Sequence, residues 1–201
     1  MASKQAFRST SLKVDRTSIA VCKAGVIVKR FYPAIVSAAV ALLPTLANAA
    51  VTAKDVQVAG RVLGFTAAPL TGNVKVGIVY DPANAASTAD EAALVGILGS
   101  GLQVGSVTLI PVPIPIGNVA STPSDIIFLT AGLGIAGGKA GAQAAAEKIL
   151  CITTDLSATQ AGSCAVSIQT VPTVQITVSK AAAAASGISF ASAFMLMITE
   201  I

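Results

Sequence analysis

The sequence predicts an α/β fold: a single three-layer domain around a largely parallel sheet that becomes mixed at its C-terminal end. Three observations carry this. Segments of helical periodicity alternate with short apolar runs along most of the chain, the order expected of strands joined by crossover helices. Runs such as Asp125–Thr130 are apolar almost throughout, as strands covered on both faces are. The last two runs, Cys164–Gln169 and Thr173–Val178, alternate instead and read as half-buried strands.

Residues 1–49 read as an N-terminal extension and a cleavable signal peptide, and residues 50–201 as the α/β domain. Lys29 and Arg30 precede the apolar run Ala34–Leu43, which is shorter than the roughly 20 residues of a membrane span. Ala47-Asn48-Ala49 then supplies the small-x-small pattern of a signal-peptidase site. The stretch before Lys29 exceeds an ordinary basic leader, and initiation at Val28 or Val26 would shorten it accordingly. Cys22 does not suit lipidation, because Val21 is too large for a lipobox and the apolar run follows it. Seven of the 13 Lys and Arg and one of the nine Asp and Glu precede Ala50, so residues 50–201 hold six basic and eight acidic side chains, a net of −2. That balance offers no electrostatic footprint for nucleic acid.

From Ala50 onward the elements follow in order. Thr52-Ala-Lys-Asp55 has the pattern of a capping box ahead of Val56, Ala59, Val62 and Leu63, and Gly64 ends this first helix. Asn73–Tyr80 is a buried strand stopped by Asp81-Pro82. Ser87 or Thr88 is expected to cap a second helix, with Asp90 and Glu91 near its positive end. Val104–Ile110 is a strand, and Pro111–Pro115 is an edge or an extended connector because alternate residues cannot donate. A third strand (Asp125–Thr130), an Ala-rich helix (Gly137–Lys148), a fourth strand (Ile149–Thr154) and the two half-buried strands follow. Ser179 caps Lys180–Ala185, and Ser189 is expected to cap a last helix over Phe190–Glu200. Its stripe would be Phe190, Phe194, Met197, Ile198 and Ile201.

Few residues carry chemistry. Histidine is absent, which excludes Ser-His-Asp and Cys-His catalysis. Asp81 and Asp155 at strand ends are a conceivable carboxylate pair, but capping and turn formation account for both. No catalytic residue is assigned and the chain is expected not to be an enzyme. Gly132-Leu-Gly134-Ile-Ala-Gly137 matches the dinucleotide fingerprint. It comes too late in the chain to leave a nucleotide-binding half, so no cofactor is expected. Cys151 and Cys164 are an even pair in an exported chain, which favours a disulfide worth about 3 kcal/mol, with buried free thiols as the alternative. A structural staple is the expected role, ahead of a redox-sensitive latch. Two cysteines without histidine cannot close a zinc shell, so no metal is expected. Ligands of parallel sheets sit at the carboxyl ends of strands. The candidate ligand-binding residues there are Asp81, Asn84, Ser87, Thr130, Gly132 and Asp155.

Two families resemble parts of this sequence. Val74–Asn84 through Ser87, Thr154-Asp155 with Ala161-Gly162, and the ending from Val174 are similar to periplasmic ABC-transporter substrate-binding proteins of the tryptophan/tyrosine type. The ending Val174–Lys180, the Ala-rich turn, Gly187-Ile-Ser-Phe190 and the final apolar segment also resemble the YfiR-like family of small periplasmic proteins. Substrate-binding proteins have two lobes, and residues 50–201 leave room for one, which favours the YfiR-like resemblance. It implies a periplasmic protein that binds the sensor part of a membrane signalling protein, a diguanylate cyclase in the known type. This chain departs from that pattern: it has two cysteines where that regulator has more, and Phe194-Met-Leu-Met197 stands where Leu-Leu-x-Leu-Ala is usual. The expectation is an exported regulator working by protein–protein contact, with the last helix as one source of apolar surface. The alternative is a single-lobe small-ligand binder using the strand-end residues.

Overall fold

The computed structural model describes residues 50–201. Residues 1–49, read from the sequence as an extension and a signal peptide with Ala47–Ala49 as its cleavage site, lie outside the described residues. The chain runs α1 (Ala53–Leu63), β1 (Gly72–Tyr80), α2 (Ala85–Leu98), β2 (Leu102–Val104), β3 (Val107–Pro115), a 3-10 turn (Ile116–Ser121), β4 (Ile126–Leu129) and α3 (Gly134–Ala146). It continues as β5 (Leu150–Thr153), α4 (Leu156–Gln160), β6 (Val166–Gln169), β7 (Gln175–Val178), α5 (Lys180–Ala185), α6 (Ser192–Met195) and β8 (Thr199–Glu200).

Eight strands form one sheet in the order β2-β3-β1-β4-β5-β6-β7-β8. The five central strands from β3 to β6 are parallel, whereas β2 and β7 run antiparallel to their inner neighbours. The α/β class therefore holds, and the sheet is mixed at both margins rather than only at the C-terminal one. The chain leaves β1 for β3 on one side and returns to β4 on the other. The crevice of such a sheet lies where that reversal occurs, between the carboxyl ends of β1 and β4.

Strand alternation distributes the core between the two faces. Val74, Val76 and Ile78 of β1 and Ile126 and Phe128 of β4 pack with α1 and α2. Val79, Ile127, Leu129 and Cys151 pack on the other face with Leu133, Ala140 and Ala144 of the α3 region. Helix α3 comes close because Gly141 has no side chain: a Cβ there would overlap the carbonyl oxygen of Ser163. The Cys151–Cys164 disulfide fixes that same segment to β5, with Cα atoms 4.9 Å apart. Both cysteines are buried, at 3% and 1% exposure.

Several elements follow the sequence reading closely. The capping box forms in full: Thr52 accepts from the Asp55 backbone N–H, and Asp55 accepts from that of Thr52 at 2.8 Å. Ser179 caps α5, accepting from the Ala182 N–H. The Pro111–Pro115 stretch is an edge, since β3 pairs with β1 along its whole length while β2 covers only Val107–Leu109.

Other expectations are corrected. Asn84, not Ser87 or Thr88, caps α2, its Oδ1 accepting from Ala86 N at 2.9 Å and Ser87 N at 3.2 Å. The helix therefore begins earlier, and Asp90 lies in its second turn, buried, away from the terminal dipole. The α3 helix starts at Gly134 rather than Gly137, and the short helix α4 and the β2–β3 hairpin were not anticipated. The last helix does not form over Phe190–Glu200. It shrinks to Ser192–Met195 because β7 needs an outer partner, which Thr199–Glu200 supplies as β8. The Ile201 N–H then donates to Val178 O, and Lys180 N–H to Ile201 O. The expected stripe breaks up: Phe194 is buried, stacked on Phe65 at 5.0 Å and beside Phe190 at 5.4 Å, while Met197 and Ile201 are exposed.

Candidate functional site

The carboxyl edge holds all six sequence-derived ligand residues, and hydrogen bonds join five of them. After β1, Asp81 Oδ1 accepts from Ala83 N at 2.9 Å and shapes the turn that presents Asn84. Ser87 is carried inward on the first turn of α2 and is fully buried. There it accepts from Asp81 N at 2.8 Å and lies 2.6 Å from Thr130 Oγ1. Thr130 Oγ1 donates to Val79 O at 3.0 Å, so the Ser87 hydroxyl is the donor in the pair. The result is a closed relay from Asp81 N–H through Ser87 and Thr130 to Val79 O. Asn84 Nδ2 adds a bond to Gly132 O at 3.0 Å, and Asp90 Oδ2 accepts from Ala131 N at 3.0 Å. Gly132 has φ +78, and a Cβ there would press on the Asn84 amide at 3.0 Å.

These contacts join the β1–α2 loop to the β4–α3 loop across the crevice. Their polar atoms serve one another, which is how buried hydroxyls and N–H groups avoid an unpaired penalty of about 1–3 kcal/mol. Asp90 is the member that pattern reading missed, because its partner lies 41 residues away in sequence.

Asp155, at the end of the neighbouring strand β5, hydrogen-bonds to none of the other five. It caps α4, accepting from Ser157 N at 2.9 Å and Ser157 Oγ at 2.6 Å. Its own N–H donates to Thr153 Oγ1, which donates to Leu129 O. Asp155 lies between two small cavities. One, of about 130 Å³, is bordered by Thr52, Asp55, Ala131 and Thr170. The other, of about 170 Å³, is bordered by Thr130, Leu133, Gly137 and Ser163. Both fall below the roughly 300–1,000 Å³ usual for small-molecule sites. Among the described residues, no three His, Cys, Asp or Glu side chains gather to hold a metal ion.

The glycine-rich turn takes the expected place between β4 and α3, with positive φ at Gly132 and Gly134. The closeness of Gly137 is to its own turn: a Cβ there would sit 2.9 Å from Leu133 Cβ. A cavity of about 310 Å³ opens at the opposite, amino edge of the sheet near Asp125 and Lys148. Asp125 Oδ2 there already accepts from Lys75 N at 2.7 Å.

An apolar groove lies elsewhere. Along α1 the side chains Lys54, Gln57, Arg61 and, just beyond its end, Phe65 are exposed, and the half-buried Val58 lies among them. The C-terminal segment and Val174 and Ile176 form the opposing wall, with Val62 and Phe194 at the base, enclosing about 450 Å³. Phe65 is 38% exposed and Met197 68%, and Leu196 nearby reaches 89%. No helix among the described residues is long and apolar enough to cross a membrane.

No family model matches the chain, and no curated protein matches it. Solved structures do. The fold is similar to that of a conserved domain protein from Vibrio cholerae, with a TM-score of 0.52 and 15% identity. The match covers 74% of this chain and 59% of that one. It is also similar to the ABC domain from Streptococcus pneumoniae in complex with L-Trp, with a TM-score of 0.48 and 13% identity over 73% of this chain. This chain spans 60% of that second structure. The likeness to the Vibrio structure is one of fold.

Proposed function

We propose that residues 50–201 form a periplasmic, non-enzymatic domain, exported behind the cleavable segment, that works by contact with another protein. In the YfiR-like reading that partner is a membrane-bound signalling protein. The observation that carries the proposal is the open groove beside α1, where Phe65, Val174 and Met197 stand exposed together. Clustered exposed apolar side chains mark interaction sites, whereas scattered ones do not. The disulfide fits an oxidising compartment. The test places a photo-crosslinking side chain at Gln57 or Val174 in intact cells. A discrete adduct with one membrane protein is expected, and an equal adduct from a position outside the groove, such as Ile135, would defeat the reading.

A second reading is a single-lobe small-ligand-binding domain related to ABC-transporter substrate-binding proteins. It is favoured by the strand order, which puts a crevice at the β1–β4 reversal, and it requires the two small cavities beside Asp155 to widen around the ligand. At a TM-score of 0.48, the likeness to the L-Trp complex carries no ligand over to this chain. Ligand binding at Asp155 would raise thermal stability in excess metabolite by RT ln(1 + [L]/Kd) and vanish in Asp155→Ala.

A further inference from the structure

We infer that the α1 groove takes an amphipathic helix of the partner protein, carrying two acidic residues about two turns apart. This rests on the protein-contact reading and names the chemistry of its occupant. The domain from Ala50 onward is net acidic, with six basic and eight acidic residues. Yet the groove reverses that balance. Lys54 and Arg61 border it, and none of the eight carboxylates does. Asp55, beside Lys54 in sequence, is buried and spent on the capping box. Glu200, near the far wall, pairs with Lys180. Neither Lys54 nor Arg61 forms an ion pair among the described residues.

The spacing selects the occupant. Lys54 and Arg61 lie seven residues apart on one exposed stripe of α1, about 10 Å along the axis at ~1.5 Å per residue. A helix laid along α1 brings carboxylates at i and i+7 to the same separation, and apolar side chains on the flank beside them, at i+3, i+4 and i+8, onto Val58, Phe65 and Met197. A lipid or fatty acid has its anion at one end only and answers one of the two cations. The base is apolar and firm, since Phe194 is buried and stacked on Phe65.

The experiment uses the full chain with a photo-crosslinker at Gln57, in intact cells, and identifies the crosslinked segment by mass spectrometry. The expected segment is helix-patterned with Asp or Glu at i and i+7. The double reversal K54E/R61E should lower its yield by about tenfold or more, because like charges then face one another. A synthetic peptide of that segment, titrated against the purified full chain, should bind more weakly as salt rises. A crosslinked protein segment without that acidic pair, or one whose yield K54E/R61E leaves unchanged, overturns this inference and leaves the contact reading standing. Crosslinks to lipid alone, or none at the groove, overturn both. Unchanged unfolding of K54E/R61E in urea confirms that the loss is not one of folding.

Discussion

At the carboxyl edge of the sheet, polar side chains converge and then spend their hydrogen bonds on each other. Along α1, apolar side chains converge and are left facing solvent with two cations beside them. The first region has the composition expected of a binding site and the bonding of a brace. The second lacks any recognisable motif and has the unfinished surface of an interface. Convergence of polar groups therefore says little until their partners are counted: Ser87, Thr130, Asn84 and Asp90 each already have one within the chain.

Four substitutions sharpen or break that contrast. Phe194→Ala removes the base shared by Phe65 and Phe190 and should cost about 3–5 kcal/mol in urea unfolding. A small loss would mean that the groove is soft rather than preformed. Asp90→Ala strands the buried Ala131 N–H and should cost about 2 kcal/mol, read as a lower midpoint. Ser87→Ala interrupts the relay to Thr130 and should cost about 1 kcal/mol by the same measurement. If Asp90→Ala and Ser87→Ala keep full stability but abolish a metabolite-induced thermal shift, the carboxyl edge is a site and not a brace. Met197→Ser should change stability by less than about 0.5 kcal/mol, because the side chain is largely exposed, while reducing crosslinking from Gln57. An unchanged crosslink yield would remove the C-terminal wall from the interface.

Local signals were legible wherever a few neighbouring residues decide the outcome. The Thr52–Asp55 box, the Ser179 cap and the proline edge all depend on contacts within one turn or on a missing N–H. The disulfide was legible from cysteine parity together with the reading of residues 1–49 as a leader. The α2 cap was not legible, since Asn84, Ser87 and Thr88 are all competent caps and the choice is made by Thr130, 43 residues beyond Ser87. The last helix failed for a related reason: its 3.6-residue period was real in sequence, but the open side of β7 claimed Thr199 and Glu200. Of the candidate site, the sequence identified the loops that meet but not that they satisfy one another. It marked the C-terminal segment as a source of apolar surface without revealing α1 as its counterpart.

The three prolines of β3 have a wider consequence. Pro111, Pro113 and Pro115 stand opposite Val76, Ile78 and Tyr80 on a strand whose other side is bare. A parallel strand presents alternate residues to opposite sides, and a residue without an N–H is tolerated only facing outward. Along that half of the margin, an incoming chain would find carbonyls but no donors. Edge-to-edge pairing with another sheet is therefore blocked along Pro111–Pro115, which leaves only the outer sides of the short strands β2 and β8, three and two residues long, open at the two margins described.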